Sequence, residues 1–213
     1  YATGVDIDGE SWLSPPSIGC DEYREGSVTG DLTVAISVAW TNVAVGTTLN
    51  LQGWINGRVS ANAWDFGDGM ILSNQPCVSR TWSAAGDYRV VLRAYNESHP
   101  DGVSATVTIR VLPQPVAYVT ASSKNPVSPY SSWETAAQTI QDAVDVVTMP
   151  GALVLVTNGL YASGGRALSG ANRVAVDKPL ELRSVNGPEV TMISGCRGTT
   201  NFSDAIRCVY LAN

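Results

Sequence analysis

The sequence predicts an all-β protein made of two successive modules, a β-sandwich and then a short stack of strands. Short β-branched or aromatic runs recur along the chain, and 20 glycines and 11 prolines punctuate them. Charged residues make up only 15% against 44% hydrophobic, too few for a protein surfaced by helices rich in Lys and Glu. At 213 residues the chain is long enough for two domains rather than one.

The first module is organised around Ala63-Trp64-Asp65-Phe66-Gly67-Asp68-Gly69. Alternating aromatic and acid read as a strand whose side chains point in turn to core and solvent, so Trp64 and Phe66 share a face. Gly67 and Gly69 supply the freedom of a tight turn, which makes Asp65 and Asp68 strand-end and turn groups first. Upstream, Leu32 to Ala39 and Val43 to Leu51 are strand-like runs broken at Thr41-Asn42 and Gly46. Downstream, Thr81 to Tyr95 is a turn followed by an alternating strand, and Val103 to Leu112 is one more. About seven short strands in roughly 80 residues, with regular turn signals, are the pattern of an immunoglobulin-like β-sandwich. Its expected core is Val34, Ile36, Val38, Leu49, Leu51, Val90, Leu92 and Ala94 around Trp64. His99, in Asn96-Glu97-Ser98-His99-Pro100-Asp101-Gly102, is expected in a loop.

At residues 64 to 69, 82 to 88 and 90 to 96 the chain resembles the PKD (polycystic kidney disease) domain family. These stretches correspond to its Trp-Asp-Phe-Gly-Asp-Gly, its aromatic before Gly-Asp-Tyr, and its closing Val-x-Leu-x-Ala-x-Asn strand. The resemblance runs from about Leu32 to Leu112 and implies an exported module. Some PKD domains are thought to engage polysaccharide or fibrous protein through exposed aromatics. That implies Trp54, Trp82 and Tyr95 as stacking positions where they are exposed, with Asp65 and Asp68 for a cation or hydroxyl partner. For each tryptophan the alternative is burial in the core.

Residues 1–30 read as a closing segment plus the polar linker Glu25 to Gly30. Val5-Asp6-Ile7-Asp8-Gly9-Glu10 followed by Pro15-Pro16-Ser17-Ile18-Gly19-Cys20-Asp21-Glu22-Tyr23 resembles the end of bacterial right-handed parallel β-helix surface proteins. Asp6, Asp8 and Glu10 also have the close carboxylate spacing that calcium takes, although the terminal acid of a full twelve-residue loop is missing. The alternative is an acidic turn capping a strand stack.

Two prolines in Leu112-Pro113-Gln114-Pro115-Val116 predict a semi-rigid linker at 113–116 between the sandwich (31–112) and the second module (117–213). That module is expected to open with a strand, Ala117 to Ala121, and one helix. Ser131 and Glu134 form a capping box, Ala136, Ala137, Ile140, Ala143, Val144 and Val147 share a face, and Pro150-Gly151 ends it. Strands follow at Ala152 to Val156, Arg173 to Val176, Leu180 to Ser184, Val190 to Ile193 and Ile206 to Leu211. A repeat of roughly 20 to 25 residues fits a β-solenoid. From Tyr118 to Asn213 the pattern resembles the cap helix and first coils of a right-handed parallel β-helix of the pectate-lyase-like kind.

A net charge of -6 and a pI near 4.7 argue against nucleic acid and anionic membrane surfaces as partners. No apolar run approaches a membrane span. Tyr1 opens directly into polar, acidic sequence, as expected of a mature product or an excised piece. Cys20, Cys77, Cys196 and Cys208 lack zinc-site spacing and allow three disulfide pairings, with free buried thiols the alternative. The closeness of Cys196 and Cys208 in the chain favours that pair.

Two function classes follow. One is a non-catalytic extracellular or cell-surface module, a spacer or an adhesive unit that binds polysaccharide or extracellular protein. Two incomplete β-helix ends would let such chains join head to tail. The other is a fragment of a secreted β-helix polysaccharide lyase or glycoside hydrolase, with the sandwich as accessory. Such enzymes need paired carboxylates, or calcium with a base. The second module offers Arg166, Arg173, Asp177, Lys178, Glu181 and Arg183 without a repeated acidic ladder, and neither a Ser-His-Asp set nor a phosphate loop is present. Catalysis by this chain alone is therefore not expected, and no cofactor is implied beyond calcium.

Overall fold

The computed structural model describes residues 4, 12–16, 28–198 and 205–212. Asp6, Asp8, Glu10, Cys20 and the Ile18 to Tyr23 element lie outside them. Two compact units are formed, one from the described residues up to Thr41 together with Thr48–Val111, the other from Asn42–Thr47 and the described residues from Leu112 onward. The described residues are all-β apart from one short helix.

The first unit contains β1 (Thr33–Val38), while β2 (Asn42–Ala44) falls in the second. Then come β3 (Thr48–Asn56), β4 (Ala61–Asp65), β5 (Ile71–Ser73), β6 (Cys77–Thr81), β7 (Gly86–Asn96) and β8 (His99–Leu112). One antiparallel sheet has the order β1-β3-β6, and in the other β8, β7, β4 and β5 lie side by side. The run expected at Val43 to Leu51 is thus two strands, divided at Gly46, whose φ of 83° belongs to a turn. Strict alternation sends Leu49, Leu51 and Gly53 inward from β3 and Val90, Leu92 and Ala94 inward from β7. Between the sheets Trp64 and Phe66 are fully buried, with ring centroids 6.3 Å apart and planes 7° from parallel. His99 opens β8 rather than sitting in a loop, because buried Asn96 accepts its backbone N–H at 2.9 Å and so tightens the β7–β8 turn.

In the second unit β9 (Val116–Val119) precedes α1 (Ile140–Val146). After it come β10 (Ala152–Val156), β11 (Gly159–Tyr161), β12 (Arg166–Ala167), β13 (Ala171–Val176), β14 (Leu180–Ser184), β15 (Thr191–Ile193) and β16 (Arg207–Leu211). Three parallel ladders form, β9-β10-β14, β11-β15 and β13-β16. Ala152 faces Leu180, Gly159 faces Thr191 and Asn172 faces Arg207. These partners lie further apart in the chain than the turn signals suggest, and between β10 and β14 and between β11 and β15 the intervening chain includes β12, which folds back antiparallel on β13. The residues expected to act as a spacer are held in this unit: the Pro115 carbonyl accepts Leu153 N–H at 2.8 Å, and Gln114 Nε2 donates to Gly151 O at 2.9 Å. Proline lacks a donor but keeps its acceptor, so it can still start a ladder.

The helix is shorter than its apolar stripe predicts. Its N-cap is Thr139, whose hydroxyl accepts Asp142 N–H at 3.2 Å, and not Ser131. Ala136 and Ala137 are buried as extended chain: Ala137 bridges Val119 in parallel and exchanges hydrogen bonds with Tyr118 and Thr120. Ile140, Ala143 and Val144 pack on Ala117, Val119, Val154, Val156, Tyr161 and Val174. Gln141, 2% exposed, accepts Ala175 N–H at 2.7 Å and donates to Ala175 O at 3.2 Å. Its amide stands where the peptide of a preceding strand would stand, and it satisfies a ladder edge that would otherwise be buried unpaired.

Replacing Gln141 by Leu keeps the volume and removes both hydrogen bonds. Guanidinium unfolding of the second unit is expected to show a loss of about 2 to 4 kcal/mol, the cost of orphaning one donor and one acceptor in the interior. A loss under about 0.5 kcal/mol would show that the edge is satisfied another way.

Candidate functional site

The parity of β3 that buries Leu49 and Leu51 turns Thr48, Asn50, Gln52, Trp54 and Asn56 to solvent. Register then sets Ala35 beside Trp54 and Thr33 beside Asn56, with Ser37, Gln52 and Cys77 across one row. Ser79 lies beside Asn50 and Thr81 beside Thr48. The outward residues of all three strands thus form one surface without a single Asp, Glu, Lys or Arg. Trp54 is 60% exposed, and its neighbour Ala35 is too small to cover an indole. Hydroxyls and amides order the rest: Ser79 Oγ donates to Asn50 Oδ1 at 2.7 Å, and the Thr48 and Thr81 hydroxyls are 2.8 Å apart. The outer face of the other sheet is different, since Asp87, Arg89, Arg93 and Arg110 line it and Arg110 Nε donates to Asp87 at 3.0 Å.

The five residues marked in the sandwich by the sequence are not brought together. Trp54 lies on the uncharged face. Tyr95, half-buried, projects from β7 on the opposite side of the sandwich, at the same parity as Arg89 and Arg93. Trp82 is 2% exposed and packs on the Tyr88 ring at 5.3 Å, so the core alternative holds for it and it is no platform. It follows β6 at the parity of buried Val78, a signal already present in the sequence. Asp65 Oδ1 accepts Gly67 N–H at 2.9 Å and Asp68 Oδ1 accepts Met70 N–H at 3.1 Å, so both carboxylates are turn formers. Asp68 is also ion-paired to Arg80, whose Nε lies at 2.9 Å and whose guanidinium covers the Phe66 ring at 5.5 Å. The sequence reading missed Ser37, Asn50, Gln52, Asn56 and Ser79, which the alternation of β3 and its partners would have indicated.

In the second unit the charged residues marked by the sequence are engaged with one another or with backbone. Arg166 pairs with Asp177 and Asp145, Arg183 with Glu181 at 3.4 Å, and Lys178 Nζ donates to Val147 O at 2.8 Å. Arg173 is buried and donates to Ser194 O at 2.9 Å. The Arg166 hydrogen bond holds the Asp177 carboxyl below the usual range, outweighing partial burial. Among the described residues no three His, Cys, Asp or Glu side chains are grouped to hold a metal ion.

Burial raises the Asp68 pKa, but hydrogen bonds from Arg80 and Met70 and the Arg80 charge together hold it below 3.8. A depressed folded-state pKa gives stability that is complete above the unfolded value near pH 4 and is lost as acid protonates the folded carboxylate. Acid titration of the sandwich unfolding midpoint, from about pH 4 to 2, is therefore expected to fall more steeply for the native chain than for Asp68→Asn. Parallel curves would remove the Arg80 pair from the acid stability.

Residues 34–111 match the family described as PKD domain. No curated protein matches the chain. Among solved structures, it is similar to the PKD1 domain of Vibrio anguillarum Epp, with 20% identity over 39% of this chain and 96% of that one and a TM-score of 0.33. It is similar also to the PKD domain of the human VPS10 domain-containing receptor SorCS2, with 19% identity over 46% and 94% and a TM-score of 0.33. A third structure, of carbohydrate-binding modules from the β-sandwich superfamily, shares 18% identity over 46% of this chain and 40% of that one, with a TM-score of 0.37.

Proposed function

We propose that this chain is a non-catalytic module of an extracellular protein and that the face of β1, β3 and β6 around Trp54 binds a polysaccharide. The observation that carries the reading is the exposed indole set in an uncharged field of amides and hydroxyls. A pyranose ring offers C–H groups to a flat aromatic and hydroxyls to neighbouring donors and acceptors, and it asks for no counter-charge. A protein ligand held by ion pairs would find its partners on the opposite sheet instead. On this reading the second unit is the capped beginning of a right-handed parallel β-helix, serving as stalk or platform. Three parallel ladders and the Gln141 amide at the edge of β13 support that assignment.

Retention on insoluble polysaccharides tests the binding face. Trp54→Ala is expected to weaken retention by about tenfold or more while leaving the thermal midpoint unchanged, and Tyr95→Ala is expected to change neither. Full retention by the Trp54 variant would overturn the reading.

A second reading rests on the far edge of the ladders. β14, β15 and β16 each end their sheet, and a recess lined by Val156, Leu182, Thr191 and Ile193 opens beside them. Such an edge is a template for pairing with another chain, which supports head-to-tail association. Light scattering over a concentration series, with and without calcium, is expected to show growth beyond the monomer mass. A calcium requirement would implicate Asp6, Asp8 and Glu10, and a monomer at every concentration would end this reading.

A further inference from the structure

Two exposed free thiols flank the connection from β15 to β16, Cys196 shortly after β15 and Cys208 within β16. Cys196 and Ile206 form an antiparallel bridge and exchange both backbone hydrogen bonds, at 2.9 and 2.8 Å. Side chains two residues apart on a strand share a face, so Cys208 projects on the same side as Ile206 and therefore as Cys196. The Cys208 sulfur has already swung across the pairing, where it accepts the N–H of Gly195 at 3.2 Å. Gly195 itself lies so close to its partner that an added Cβ would collide with Ile206 O. The two strands thus meet at the residue before Cys196, whose own thiol is directed to the Arg197 carbonyl at 3.5 Å. Cys77, the other described cysteine, lies in the first unit on β6 and pairs with Gln52.

From this geometry we infer that Cys196 and Cys208 are a disulfide site, a covalent clasp that closes the β15–β16 connection when the protein meets an oxidising thiol buffer. The oxidant is a low-molecular-weight disulfide such as oxidised glutathione. One cysteine thiolate attacks it, forming a mixed disulfide and releasing one glutathione thiol. The second thiolate then attacks the protein sulfur and releases the other glutathione thiol. Two protein thiols lose two protons and two electrons, and one glutathione disulfide becomes two thiols. The clasp has a mechanical purpose. β16 is exposed at four of its five residues and is held in the sheet by β13 alone, so its first turn is the part of the ladder with least burial to keep it in register.

The test uses the full chain, equilibrated with oxidised glutathione or with dithiothreitol, alkylated, and digested without reduction. Mass spectrometry is expected to find a linked peptide containing Cys196 and Cys208 after oxidation, with Cys77 still alkylated. Amide exchange across Arg207–Leu211 is expected to slow about tenfold or more in the oxidised form, as closing a loop suppresses local opening. Cys208→Ser tests the cause, because it removes the redox dependence of exchange without altering the backbone bridge at Cys196. Alkylation of both cysteines after oxidation, stable glutathione adducts on either, or links from either to Cys20 or Cys77 would each overturn the assignment.

Discussion

The contact on which the first unit depends is Trp64 packed against Gly53. A Cβ at position 53 would lie 2.5 Å from Leu92 Cδ2 and 3.0 Å from Trp64 Cζ2, so only a glycine lets the indole pass between the sheets. The ring is then fixed by its polar end, since Trp64 Nε1 donates to Gln75 O at 2.9 Å while Gly53 N donates to Pro76 O at 2.7 Å. β3, β4 and the chain before β6 are tied at one point. With the parity of β3 set there, residue 54 has nowhere to go but outward, and the exposed indole follows from the burial of another.

The second unit answers a different constraint. Parallel ladders leave a row of unpaired backbone groups at each end, and burying them unsatisfied costs a few kcal/mol apiece. At the first end the chain uses its own elements: the Tyr130 carbonyl accepts Tyr118 N–H of β9, Ala137 N–H donates to Tyr118 O, α1 covers the apolar interior, and Gln141 imitates a strand. At the far end β14, β15 and β16 carry no further ladder among the described residues. The asymmetry gives the stack a direction.

Charge is distributed to suit both units. Arginine and aspartate are paired on the outer face of one sandwich sheet and around the helix terminus, where Lys178 and Arg166 meet the last carbonyls and Asp145. Cations at a helix C-terminus complement its dipole. The outward face of the sheet that carries Trp54 holds no Asp, Glu, Lys or Arg, so only its aromatic ring, amides and hydroxyls meet the solvent there.

The sequence by itself determined what is local. The two-residue alternation foretold Trp64 and Phe66 together in the core, Gly67 and Gly69 foretold the turn, and Ala152–Val156 and Leu180–Ser184 were legible to the residue as apolar runs between turn signals. Even the opposite fates of Trp54 and Trp82 were encoded as parity relative to Leu51 and Val78. Tertiary structure decided what depends on partners far along the chain. Whether Ala136 and Ala137 are helix or extended chain turns on Val119 and its neighbours, because an apolar stripe suits either backbone and the bridge to β9 selects one. The length of chain between β10 and β14 depends on β12 folding back on β13. The uncharged face exists only when β1, β3 and β6 are set in register, since no single strand contains it and backbone pairing across tens of residues brings its rows together.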